Sequence, residues 1–201
     1  MNAWSLGRAG AAGALATLPM TAVMALGVRL LPPDEQYTLP PREITDEVRR
    51  KRDIAYPISE PRARLAALAA HFGYGAAAGS LVAAIPGGRA TELALRGAAY
   101  GFAVWAGSYL GLLPALNLLS PATEHPPGRT AVMIASHLVW GAAAGLIVQR
   151  LRPPDSRLMA MVRQGEMNDE RAIEPPYSSF SAAEPIHARF RASDATKARS
   201  R

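Results

Sequence analysis

Residues 65–88 read LAALAAHFGYGAAAGSLVAAIPGG, 24 residues without a single Asp, Glu, Lys or Arg. Three other stretches share this character: 9–28, 97–123 and 130–149, of 20, 27 and 20 residues. Crossing ~30 Å of hydrocarbon takes roughly 18–20 consecutive apolar residues in a helix. All four stretches meet that length. The sequence therefore predicts an all-α membrane protein with four transmembrane helices, over about 9–30, 65–86, 97–117 and 130–150. Together these spans make a transmembrane domain of residues 1–152. Residues 153–201 differ in kind, being rich in Pro, Ser, Arg and acids with scattered apolar residues. Such a composition buries too little apolar surface to offset ordering entropy, and a disordered polar tail is expected there.

The whole chain has 201 residues, a formal net charge of +6 and no Cys. Without Cys there are no disulfides, thiolate nucleophiles, iron–sulfur clusters or Cys-held zinc. The positive residues are nearly all Arg and flank the apolar stretches. Arg in that position anchors spans against headgroups, so the lipid bilayer is the expected partner and nucleic acid is not. The first run, between Arg8 and Arg29, also has the look of a signal peptide, but it is longer than a usual apolar core of one. Pro19 lies mid-span, and Thr17 and Thr21 are placed to re-satisfy the backbone it frees.

The connection 29–64 carries eight basic and seven acidic residues. Its Glu43 to Arg52 part predicts a short surface helix with a Glu47–Lys51 pair. The Arg49-Arg50-Lys51-Arg52 cluster reads equally well as a headgroup contact or as a solvated face. Basic residues are almost balanced across the two sides of a four-span arrangement, with a slight lean to both termini in the cytoplasm.

An internal match organises the spans. Ala69-Ala70-His71-Phe72-Gly73-Tyr74-Gly75-Ala76-Ala77-Ala78-Gly79 and Ala135-Ser136-His137-Leu138-Val139-Trp140-Gly141-Ala142-Ala143-Ala144-Gly145 agree at seven of eleven positions. The first and third spans also begin alike, Arg8 to Gly13 against Arg96 to Gly101. Four spans then read as two helical hairpins in a parallel repeat. In each copy His, Gly and Gly recur every fourth residue and share one helix face. Gly75, Gly79, Gly141 and Gly145 are the expected helix-packing residues, with Gly107 and Gly111 as a further pair. Such small-residue faces also suit homo-oligomer formation.

No Asp or Glu lies inside a span, which disfavours a carboxylate proton relay or an ordinary ion-coupled transporter. Glu92, Glu124 and His125 sit at span edges. No metalloprotease, P-loop or nucleophile-elbow motif occurs, so no catalytic residue and no metal site is expected. Gly73-x-Gly75-x-x-x-Gly79 follows no strand and reads as packing rather than as a dinucleotide fingerprint. His71 and His137 remain as the candidate cofactor-binding pair, since opposed imidazoles hold haem or metal or pass a proton. The plainer alternative is that each bonds a neighbouring carbonyl and pins the bundle, with no cofactor at all.

Val104-Trp105 through Leu112-Leu113-Pro114, then Glu124-His125, then Ser136-His137-Leu138-Val139-Trp140 carry a resemblance. This half of the chain resembles the YagU-type family of small bacterial inner-membrane proteins, and Ala16-Thr17-Leu18-Pro19-Met20 is similar to related families of unknown function. The resemblance covers about residues 8–150. It implies a bacterial inner-membrane location and no catalytic residues. The expected role is a non-enzymatic structural or envelope-stress component. The alternative is a small transport or redox subunit working through His71 and His137.

Overall fold

A computed structural model of the chain describes residues 3–53, 59–86 and 88–152, together with Val162 and Gly165. The chain divides into two compact units, Met1–Ala160 and Met161–Arg201, and the helices below belong to the first. The tail expected over 153–201 lies outside the described residues, apart from Val162 and Gly165.

The described residues are helical and contain no strand. Helix α1 is Ala3–Leu30, α2 Pro40–Lys51, α3 Glu60–Ser80 and α4 Ala90–Ala106. A π-helical segment, Gly107–Leu112, leads into the short α5, Leu113–Ala115, and α6 is Pro127–Leu151. Three helical stretches are long and apolar enough to cross a membrane: Ser5–Leu30, Glu60–Ala84 and Pro127–Leu151. The expected third span falls on α4, whose α-helical part is 17 residues. Its helical path nevertheless runs on without a break through the π segment to Ala115.

Helices begin earlier than the charge-free runs. Helices α3 and α6 start at Glu60 and Pro127 because Pro61 and Pro127 occupy the first turn, where a missing N–H costs nothing. At the other end of the third run, Asn117 adopts φ 51°. The Leu118 N–H then reaches the Leu113 carbonyl at 2.9 Å and the Asn117 N–H the Pro114 carbonyl at 2.8 Å, a Schellman cap. The π segment lies directly before Pro114, which has no N–H to give to the preceding turn.

The long helices lie side by side in the order α3, α1, α6, α4, each packed along its neighbour. Two crossings set the spacing. A Cβ on Gly13 of α1 would overlap the Gly75 carbonyl and the Gly79 backbone of α3. A Cβ on Gly97 of α4 would overlap the Gly141 carbonyl of α6, and one on Gly101 the His137 carbonyl. Backbones that close leave room only for hydrogen at these positions. Gly145 faces the Leu93 carbonyl. Gly107 and Gly111 correct the expectation: both face open space, because the π segment turns them off any helix contact within the chain.

Small side chains lie at the helix crossings, and many large apolar ones point outward. Ala9, Ala12, Ala16, Thr17, Ser136 and His137 are buried between helices. Leu15, Leu18, Leu26, Leu68, Phe102 and Leu110 point outward, each at least 45% exposed. Met24, Leu93, Met133 and Trp140 are buried as well. Small and polar groups at the crossings, with many large apolar groups turned outward, suit a bundle packed closely in an apolar solvent. The hydroxyls expected to compensate Pro19 do otherwise. Thr17 Oγ1 donates to the Gly13 carbonyl at 2.9 Å and Thr21 Oγ1 to the Thr17 carbonyl at 2.7 Å.

Helix α2 is the predicted surface helix, and it packs on α3. The pairing differs from expectation. Glu47 pairs with Arg50 at 2.7 Å, while Lys51 Nζ reaches across to the Leu116 carbonyl at 2.8 Å and ties α2 to the end of the α4 path. At the opposite end of the bundle Arg152 donates to the Ile85 carbonyl at 2.6 Å.

The crossings predict a sharp contrast. Gly141→Leu drives a side chain into the α4 backbone and lowers the melting temperature in detergent, at a cost of about 3 kcal/mol or more. Gly107→Leu meets no neighbour and stays within about 0.5 kcal/mol of the parent. Thermal unfolding followed by circular dichroism on both variants checks this.

Candidate functional site

The cross-strung order of helices leaves α3 and α4 at the two flanks of the bundle, without a packed interface between them. Two hydrogen bonds bridge them instead. The Tyr74 and Ser108 hydroxyls lie 2.7 Å apart, and Tyr100 Oη donates to the Ala78 carbonyl at 2.7 Å. Between the flanks lies a cavity of about 290 Å³. Its floor is the side of α1 and α6, with Thr17, Met20, Met24 and Trp140. Helix α2 closes one end with Pro40, Pro41, Ile44 and Thr45. Among the described residues no charged side chain lines it.

Both sequence candidates reach this cavity. His71 of α3 and His137 of α6 line it together, joined by Tyr74, Ser108 and Tyr109. His137 is 5% exposed, and its Nδ1 lies 2.8 Å from the Met133 carbonyl. A carbonyl only accepts, so Nδ1 carries the proton and Nε2 keeps its lone pair. Tyr109 stands edge-on to this ring, 5.8 Å between centroids, and its hydroxyl points to the Met133 sulfur at 3.6 Å. Trp140 Nε1 donates to the Gly13 carbonyl at 3.0 Å, so the α1–α6 contact also fixes one wall. His71 differs from its counterpart: its Nε2 is buried with no hydrogen-bond partner. An unpaired buried polar group is costly to the fold, and this nitrogen is free to bond whatever enters the cavity.

The sequence reading singled out the two His but not their companions. The π segment widens the α4 path and turns Ser108 and Tyr109 inward, both buried. The only trace of it in the sequence is Pro114 following a Gly-bearing apolar run. Among the described residues no group of three or more His, Asp or Glu is placed to hold a metal. A cavity of this size is at the low end for organic ligands and gives a haem macrocycle little room.

A second polar cluster sits where the first connection meets α6. Arg129 is 8% exposed although it is charged. Its guanidinium bonds Glu43 at 2.6 Å and lies 4.5 Å from the centre of the Tyr37 ring. Burial pushes the Tyr37 phenol up to about 12, against the opposing pull of Arg129. His125 nearby is held below the usual imidazole range by burial first and by Arg129 second. This cluster fastens α2, and so the closed end of the cavity.

No protein-family model, curated protein or solved structure matches the chain.

Two outcomes follow for the site. His71→Leu removes an unpaired buried nitrogen and raises stability by about 1 kcal/mol, whereas His137→Leu loses a made bond and lowers it by about 0.6 kcal/mol. Opposite shifts in melting temperature of the two variants check the asymmetry. Arg129→Ala leaves Glu43 and Tyr37 without their partner. It costs about 1–2 kcal/mol, held down by the partial exposure of Glu43, and proteolysis of the 29–59 connection should speed up.

Proposed function

We propose that the chain is a non-enzymatic, multi-pass membrane protein of four spans that takes a small apolar molecule from the bilayer into the cavity between α3 and α4. The observation that carries this reading is the uncharged cavity that both His71 and His137 reach, set between two flanking helices that do not pack together. The gap between them is bordered by the half-exposed Tyr74 and Leu112, so its mouth lies on the apolar flank of the bundle. The inner-membrane location implied by the YagU-type resemblance is part of the same proposal.

The fourth span in this reading is α4 with its π extension. It is helical from Ala90 to Ala115, with Glu92 and Arg96 confined to its first two turns. The two-hairpin repeat is supported by the crossings. Gly13 and Gly97 each face the carbonyl of the matching repeat position, Gly75 and Gly141. That correspondence lies one helical turn away from the sequence match of Arg8–Gly13 with Arg96–Gly101.

The test combines extraction and topology. The protein is expected to remain in membranes through an alkaline carbonate wash, and reporters fused to the two ends are expected to report the same side, the cytoplasm. Release by carbonate removes the membrane reading. Reporters on opposite sides remove the four-span count.

A further inference from the structure

We infer that the cavity binds an uncharged lipid with a flat, oxygen-bearing ring head, the chemistry of an isoprenoid quinone or quinol, with its chain leaving between α3 and α4. This deepens the binding reading above and rests on it.

Four observations narrow the ligand. Among the described residues the lining has no charged side chain, so a carboxylate or phosphate head would be buried there without a counter-ion. The walls near the polar groups are aromatic: Tyr74, Tyr109 and Trp140. Aromatic walls favour a flat ring over a bare alkyl chain. The polar groups are several and come from different helices. His71 Nε2 is buried and unpartnered, His137 keeps a lone pair on Nε2, and Tyr74 and Ser108 form a hydroxyl pair that retains one further proton to donate. Imidazoles and hydroxyls of this kind donate to the carbonyl oxygens of a quinone or accept from the hydroxyls of a quinol. Finally, about 290 Å³ accommodates a single substituted ring but not a long chain, and the gap beside the half-exposed Leu112 and Leu116 gives that chain a way out.

Binding is read with a decyl-substituted benzoquinone added to the full-length protein in detergent, by quenching of tryptophan fluorescence, since Trp140 forms part of the cavity wall. The expected result is saturable quenching that excess palmitate does not displace. Ala70 lines the cavity from an exposed position, so Ala70→Phe fills the space without disturbing the packed core. That variant is expected to weaken binding at least about tenfold. His71→Leu is expected to weaken it similarly while leaving the melting temperature unchanged or raised, which separates loss of a ligand contact from loss of fold.

Quenching that merely tracks the quinone concentration in the micelle overturns the inference, as does an unchanged affinity in Ala70→Phe. Equal displacement by palmitate overturns it too, showing an apolar space with no ring preference. A protein that stays in washed membranes yet gives any of these results keeps its membrane reading, whereas release by carbonate removes both.

Discussion

The structure depends on backbone-to-backbone contact at two helix crossings. Gly13 of α1 meets Gly75 and Gly79 of α3, and Gly97 and Gly101 of α4 meet His137 and Gly141 of α6. At both places a single methyl group would collide with a carbonyl. In water, helices are driven together by burial of large apolar side chains. Here Met24, Leu93, Met133 and Trp140 are buried between helices, while Leu15, Leu18, Leu26 and Phe102 face outward and Ala, Gly, Ser and Thr line the crossings. Dispersion across the close contacts and hydrogen bonds such as Trp140 to Gly13 add to that packing, which suits a lipid solvent.

The same crossings create the cavity. Each draws two helices together, α1 with α3 and α4 with α6, and α1 with α6 then joins the pairs. The fourth side, α3 with α4, lacks a packed interface and is bridged by two hydrogen bonds. Space opens where packing is missing, and the helix faces that carry the packing glycines also carry His71 and His137. Close approach and polar convergence are thus two effects of one spacing, His, Gly and Gly at every fourth residue. The π segment adds Ser108 and Tyr109, and α2 closes the end under the hold of Arg129 and Lys51.

Much of this was legible in the sequence, for physical reasons that are specific. Charge-free runs report helix location directly, because a charge in hydrocarbon is expensive. The period of four in both repeat copies placed Gly75, Gly79, Gly141 and Gly145 on a common face, and each now lies against a neighbouring backbone. The same rule misread Gly107 and Gly111, because it assumes an α-helix and the π segment rotates residues beyond it. The helix starts at Glu60 and Pro127 follow from proline in the first turn, which acts outside the charge-free runs. Arg129 was out of reach altogether. Its burial is set by Tyr37 and Glu43, far away in the chain, and no local pattern signals such a meeting.

The central claim is that large apolar side chains on all four long helices face lipid, α4 included. The absence of Cys allows single cysteines to be introduced without background. Spin labels at Leu18, Leu68, Phe102 and Leu138, one on each long helix, can be probed in vesicles for collision with oxygen and with a water-soluble nickel chelate. The account predicts high oxygen and low nickel accessibility at all four positions. High nickel accessibility at Phe102 would contradict it, because α4 would then lie in water and the bundle would lose its fourth span.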